Sequence, residues 1–227
     1  MGSRITGKTP GDFLYNLLRP LAWLLLHVVC RYQVSGSERI PATGPLLIVA
    51  NHLSWFDPIL LGSIVPRRIW FFTKIEAFAW PVVGWLLRRT GQIPVARGGS
   101  DRAALEQALT YLYEGKAVAI FPEGTVARKE RMIAAHTGVA MLALRSGATV
   151  LPIAHTGTRR ILRKHGGLRP SITVQVGLPY VPILPEGMPR KVGLQTITKD
   201  IMEQIATMLP PEQRGVYADQ IAQEQEL

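Results

Sequence analysis

The stretch PLLIVANHLSWFDP, residues 45–58, decides how the chain folds. Its first part, LLIVA, is a short unbroken apolar run, the mark of a strand buried on both faces. Asn51 and His52 then break the run. Asp57-Pro58 has the form of a helix start, with proline at the first helical position. A strand that passes through a polar loop into a helix is the repeating unit of an α/β domain.

The same alternation extends in both directions. RYQVSG (31–36), IWFFT (69–73), AVAIFP (117–122), TVLPIA (149–154) and SITVQVG (171–177) read as further strands, rich in β-branched and aromatic residues. Helical patterns lie between them. DRAALEQALTYLYEG (101–115) opens on Asp101 as N-cap and closes at Gly115. AAHTGVAMLALRSG (134–147) closes at Gly147. PRKVGLQTITKDIMEQIATMLP (189–210) carries Ile197, Ile201, Ile205 and Met208 as an apolar stripe. The expected fold is a single α/β domain over residues 31–227, with a largely parallel sheet flanked by helices. Residues 1–30 form a separate helical segment, and no repeat or low-complexity linker interrupts the rest.

Composition narrows the function. With 227 residues, 47% of them apolar, the chain is long enough for one sizeable core and too apolar for disorder. Cys30 is the one cysteine, which excludes an intramolecular disulfide and any Cys-rich metal site, and suits a reducing compartment. The formal charge is +10. Residues 181–227 hold 4 basic and 7 acidic side chains, whereas the remainder holds 22 basic and 9 acidic. A basic body calls for an acidic partner. Nucleic acid fits poorly, because the arginines come in pairs between apolar segments and no zinc-finger or RNP-type pattern is present.

The N-terminus points to a membrane surface. FLYNLLRPLAWLLLHVVC, residues 13–30, is strongly apolar but holds Arg19 and Pro20 at its middle. After Pro20 ten residues remain before Arg31. That is about 15 Å of helix against a hydrocarbon core of about 30 Å. An arginine at mid-bilayer costs roughly 2.5–3.5 kcal/mol. A kinked helix or helix pair lying in one leaflet is therefore expected, with Arg19 and Trp23 near the head groups. No small-residue cleavage site of a signal peptide follows. GSRITGKT at residues 2–9 matches the phosphate-cradling loop pattern, but that loop works only after a strand, and none precedes Gly2. MGSRIT also matches a myristoylation pattern and is equally read as a flexible terminus.

Ligands of parallel α/β sheets sit at the carboxyl ends of the strands. Two polar clusters fall there, NHLSWFD after LLIVA and PEGT (122–125) after AVAIF. On a continuous helix, His52 and Asp57 would point about 140° apart. A strand-to-helix turn can instead fold Asp57 back to His52, fixing one tautomer and leaving the other ring nitrogen free as a base. The spacing alone leaves two readings open, that pair or a simple helix cap. The absence of a GxSxG elbow argues against a serine nucleophile. No metal site is expected: HExxH is absent, and His136, His155 and His165 lack paired ligand spacing, so they read as surface or hydrogen-bonded histidines. What remains is direct activation of a substrate hydroxyl or of water.

Four motifs in order carry a more specific resemblance: NHLSWFD, which fits NHxxxxD; KIEAFAWPVVGWLLRRTGQIPVAR (74–97); FPEGT (121–125); and VLPIAHTGT (150–158). Over about residues 30–180 the chain resembles the glycerolipid acyltransferases, above all the 1-acylglycerol-3-phosphate (lysophosphatidic acid) acyltransferases. The resemblance implies His52 as the base for the acceptor hydroxyl and Asp57 as its orienting carboxylate. It implies Arg97 and Lys74 as phosphate contacts, and Glu123, Gly124 and Thr125 as shaping the acceptor site. Pro152 takes a structural role. Glu123 is left with two readings, a bond to a glycerol hydroxyl or to a neighbouring arginine.

The implied reaction moves a fatty acyl group from acyl-CoA or acyl carrier protein to lysophosphatidic acid, giving phosphatidic acid without a cofactor. The enzyme would sit on the anionic lipid surface as a monotopic protein of the cytoplasmic face. Two departures bear on the head group: Val126 stands where the family often has arginine after FPEGT, and Ala96 where an acidic residue often precedes Arg97. Another lysophospholipid or glycerol 3-phosphate is the alternative acceptor. A non-catalytic, basic membrane-surface binding protein is the alternative of a different class. AFAWPVVGWLL (77–87) fits an acyl groove, a membrane contact or core packing equally well.

Overall fold

The computed structural model describes residues 10–96, 101–127, 129–162, 169–219 and 221. Among the described residues seven strands form one sheet: β1 (Arg31–Ser35), β2 (Leu46–Ala50), β3 (Ile69–Lys74), β4 (Ile93–Val95), β5 (Ala117–Ile120), β6 (Thr149–Thr156) and β7 (Ser171–Val176). Their order across the sheet is β1-β7-β6-β2-β5-β3-β4. Every pairing is parallel except β6 with β7. The run LLIVA is therefore a central strand, with β5 on one side and β6 on the other, and all five residues are buried.

The two-residue period of the strands divides their side chains between two cores. Leu47, Val49, Val118 and Val150 face α4 (Arg102–Tyr113), α5 (Gly138–Ser146) and α6 (Arg190–Thr207). Leu46, Ile48, Ala119 and Leu151 face the opposite layer, where α1 (Pro10–Val29) and α2 (Asp57–Ile64) supply Leu26, Leu60 and Leu61. Each fully buried Leu or Ile contributes about 1.5–3 kcal/mol of transfer free energy. The α6 stripe is in place, with Ile197, Ile201 and Ile205 in the first core and Met208 packed at its margin.

The helix ends follow their local chemistry. Asp101 caps α4 by accepting the Ala104 N–H at 3.0 Å. Gly147 ends α5 at φ +61°, a left-handed conformation open to glycine. Strand β4 has three residues, too few to show a period in the sequence.

Of the two forms expected for the N-terminal segment, a kinked helix or a helix pair, the structure shows a single helix. Residues Pro10–Val29 form one continuous α1 with Pro20 inside it. A mid-helix proline frees the carbonyl four residues earlier, here Asn16. Both Asn16 and Pro20 lie on the exposed side, so that carbonyl is not stranded in a core. Helix α1 packs on α2 and, more lightly, on β1 and on α3 (Pro81–Arg89). Its outer face shows Phe13, Leu17, Leu21, Leu24 and Val28, all exposed and spaced by three or four residues. Among the described residues no helix is long and apolar enough to cross a membrane.

Candidate active site

The polar loop between β2 and α2 is built around one carboxylate. Asp57 is wholly buried at the first turn of α2. Its Oδ2 accepts the Leu53 N–H at 2.7 Å, the Ser54 N–H at 2.8 Å and the His52 Nδ1–H at 2.8 Å. The backbone turns tightly, with the Asp57 N–H donating to the Ser54 carbonyl at 3.2 Å. Asp57 thus caps the loop before the helix, not the helix itself, and meets His52 as well. The continuous-helix geometry that would hold the two apart does not apply, because residues 51–54 are not helical.

A carboxylate only accepts at neutral pH, so the bond fixes the proton of His52 on Nδ1 and leaves a lone pair on Nε2. The ring lies flat against Phe121, with centroids 4.2 Å apart and planes 15° apart. The His52 side chain is 17% exposed, enough for a substrate to reach one edge. Burial works to raise the Asp57 carboxyl. The two imidazoles, His155 and His52, and the hydrogen bond from His52 outweigh it and hold the group below the usual carboxylate range.

The second polar cluster locks the backbone of the same histidine. Glu123 Oε1 accepts the His52 N–H at 2.9 Å, and the His52 carbonyl accepts the Ala127 N–H at 2.8 Å. Both peptide groups of His52 are therefore tied to the loop that follows β5. Glu123 Oε2 accepts the Ile133 N–H at 3.2 Å. This buried side chain holds two backbone donors and no arginine among the described residues. Burial pushes its carboxyl up to about 7, against the pull of the two N–H bonds. Gly124 turns the loop at φ +67°, and a Cβ there would sit 3.2 Å from the exposed His136 ring. Thr125 is exposed next to it.

A third cluster was not singled out in the sequence. Asn51 and His155 are both buried. The Asn51 side chain donates to the His155 carbonyl at 2.9 Å and accepts the His155 N–H at 3.0 Å. The His155 Nε2–H donates to the Asn51 carbonyl at 2.8 Å. Nε2 also lies 3.7 Å from Asp57 Oδ2. The available signal was topological: both residues stand at the carboxyl ends of neighbouring parallel strands. Pro152, earlier in the same strand β6, pairs with Val49, and its carbonyl accepts the Gly177 N–H at 2.8 Å.

Lys74 ends β3 beside β4, in register with Val95, and its Nζ stands 5.6 Å from the centre of the exposed Trp55 ring. Arg97 follows Val95 by two residues and lies outside the described residues, as do Gly98, Gly99, Arg128 and His165. The Trp55 ring lies 6.2 Å, centroid to centroid, from the exposed Trp80, and Ile59, Ile75, Val82 and Trp85 are exposed as well. The stretch 77–87 is thus mostly surface, with Ala77 and Gly84 its buried residues. Among the described residues no cluster of His, Cys, Asp and Glu is arranged to hold a metal ion.

Comparisons with known proteins agree with this architecture. A family model described as Acyltransferase matches residues 31–156. The chain is 40% identical over 151 residues to a lyso-ornithine lipid O-acyltransferase of Pseudomonas aeruginosa, covering 65% of this chain and 57% of that protein. It is 29% identical over 210 residues to a 1-acyl-sn-glycerol-3-phosphate acyltransferase of Chlamydomonas reinhardtii, covering 89% of this chain and 61% of that protein. Both relatives are thus matched over little more than half their length. Among solved structures, the 1-acyl-sn-glycerophosphate acyltransferase PlsC of Thermotoga maritima shares the fold, with a TM-score of 0.66 and 23% identity over 84% of this chain and 78% of that one.

Proposed function

The chain belongs to the Acyltransferase family, and from that premise we propose that it transfers a fatty acyl group from a thioester to the free hydroxyl of a membrane lysolipid, with His52 as general base. The observation that carries this reading is the 2.8 Å bond from His52 Nδ1 to a buried carboxylate, beside a reachable ring edge. Nε2 takes the hydroxyl proton as the oxygen attacks the thioester carbonyl. The tetrahedral intermediate collapses, the C–S bond breaks, and the imidazolium returns the proton to the leaving thiolate of coenzyme A or acyl carrier protein. Asp57 stabilises the imidazolium between the two steps. Such a base contributes typically 10²–10⁴ in rate.

The first acceptor is 1-acylglycerol 3-phosphate. Lys74 supports it with a half-buried cation at the carboxyl end of β3, and Arg97 follows the neighbouring strand. Glu123 supports the site from behind, through the His52 backbone. A second acceptor, lyso-ornithine lipid, is favoured by the higher identity to the Pseudomonas protein and by Val126 and Ala96. The enzyme is seated on the bilayer surface. Support comes from the exposed stripe of α1, which is too large to be scattered surface leucines, and from the net charge of +10.

The test is a panel of lysolipid acceptors with one labelled acyl-CoA and one acyl carrier protein donor. Wild type should acylate lysophosphatidic acid, while His52→Ala loses transfer and still binds anionic vesicles. Acylation of lyso-ornithine lipid alone assigns the second acceptor. Wild-type protein that acylates no acceptor with either donor overturns the reading.

A further inference from the structure

We propose that His155 is a positioning residue for the reaction, holding the backbone from which His52 projects. This rests on the reading of His52 as the base. Strands β2 and β6 run parallel in register as far as Ala50 and Ile153. Beyond that point the chain at Asn51 must leave the sheet to form the Asp57 loop. The Asn51 amide continues the ladder in place of the backbone: its Nδ2 and Oδ1 take the carbonyl and N–H of His155. The His155 ring then closes on the Asn51 carbonyl through Nε2. Three hydrogen bonds join two residues, and the peptide that links Asn51 to His52 is one of the groups held. Glu123 accepts the N–H of that same peptide, and the Ala127 N–H holds the carbonyl of the next one. The position of the His52 Cα is therefore set from two sides, by β6 and by the loop after β5.

The ring carries a cost that apolar packing would not. A carbonyl only accepts, so the proton of His155 lies on Nε2, and its Nδ1 is a buried nitrogen with no hydrogen-bond partner among the described residues. Burial also lowers the titration of His155 below the usual imidazole range, against the attraction of Asp57. That direction favours the neutral ring, whose Nε2–H holds the Asn51 carbonyl. A leucine or phenylalanine would fill the same core without an unpaired nitrogen. What they cannot supply is the Nε2–H that holds the Asn51 carbonyl. A catalytic group displaced by about 1 Å can lose on the order of 100-fold in rate.

The experiment compares His155→Phe and His155→Gln with wild type. Phenylalanine keeps the ring volume and removes the donor, whereas glutamine restores an amide N–H near the place of Nε2. His155→Phe should lower kcat about 100-fold, with KM for both substrates within about threefold and Tm within a few degrees. His155→Gln should recover to within about threefold of wild type. A readout without turnover accompanies this: the rate at which diethylpyrocarbonate carbethoxylates His52, followed by peptide mass spectrometry. It should change several-fold in the Phe variant and return in the Gln variant. A Phe variant with wild-type kcat and wild-type His52 reactivity overturns the proposal, as does a Gln variant as impaired as Phe. If the Phe variant does not fold, Asn51→Ala decides: it must lower kcat similarly with KM kept, and wild-type behaviour overturns the proposal. A wild-type protein inactive on the acceptor panel defeats the reading of function, while the His52 reactivity still tests His155.

Discussion

Replacing Glu123 by glutamine should make the molecule more stable at pH 8 and slightly less stable at pH 4.5. The carboxyl is buried, accepts from the His52 and Ile133 N–H groups, and is raised from 4.5 to about 7, mainly by burial. In the unfolded chain it titrates near its ordinary value. Between pH 4.5 and about 7 the folded protein therefore holds a proton that the unfolded chain has released, and stability falls as pH rises through that window. At roughly 1.4 kcal/mol for each pH unit separating the two values, the ionised form costs about 3 kcal/mol above pH 7.

Glutamine carries no charge and removes that cost. It keeps an oxygen for the His52 N–H but presents an NH₂ group where Oε2 accepted from Ile133. That loss costs about 1 kcal/mol at every pH. The variant should thus gain about 2 kcal/mol at pH 8 and lose about 1 kcal/mol at pH 4.5. The assay is denaturant unfolding of both proteins at half-unit pH steps from 4 to 8.5, taking the difference in stability at each pH, in which the groups they share cancel. A difference that stays flat from pH 4.5 to 8 refutes the reasoning, because it means that Glu123 titrates normally. Activity supplies a second check on its place. Since both carboxylate oxygens face backbone, KM for the acceptor should change little in the variant.

Three further outcomes follow from the same geometry. Asp57→Asn keeps an oxygen that can serve Leu53 and Ser54 but loses the charge facing His52, so kcat should fall about 10²–10⁴-fold with circular dichroism unchanged; a loss under tenfold contradicts the pair. Gly157→Ala places a Cβ 2.2 Å from the Ser171 carbonyl oxygen at a φ of +84°, and should destabilise by about 2–4 kcal/mol and lower Tm by roughly 5–15 °C in a thermal melt. Leu21→Glu with Leu24→Glu removes two exposed leucines from the outer face of α1; vesicle co-sedimentation should drop by more than tenfold while transfer to a soluble short-chain acceptor is kept.

Six of the seven strands and the helices α4, α5 and α6 were legible because each has a period or a cap strong enough to show locally. LLIVA reads as a central strand since it has no polar face to turn outward, and the structure buries both faces. On spacing alone His52 and Asp57 are open to two readings, a pair or a helix cap, and the turn closed by the Leu53 and Ser54 N–H groups brings the pair together. Relations that cross the sheet are not legible in this way. The task of Glu123 was left between a glycerol hydroxyl and an arginine, because its partners, the backbone of His52 and Ile133, are peptide groups that every sequence contains. His155 reads from sequence as a surface or hydrogen-bonded histidine, and the structure shows the second, but its partner is again a backbone group that sequence does not name.

The three pieces share a logic that no motif spells out. His52 contributes one side-chain bond to its carboxylate, while its position is determined by backbone groups held from β6, from the β5 loop and from α2. On the proposed function, a base that meets an alcohol entering from a lipid surface gains from such mounting, since the substrate arrives at a mobile boundary and the protein must supply the fixed geometry. Loss of any one mount should therefore lower kcat far more than it raises KM. Substitutions on the exposed α1 and α3 faces should do the reverse, because they govern how the lipid reaches the site and not how the imidazole is held.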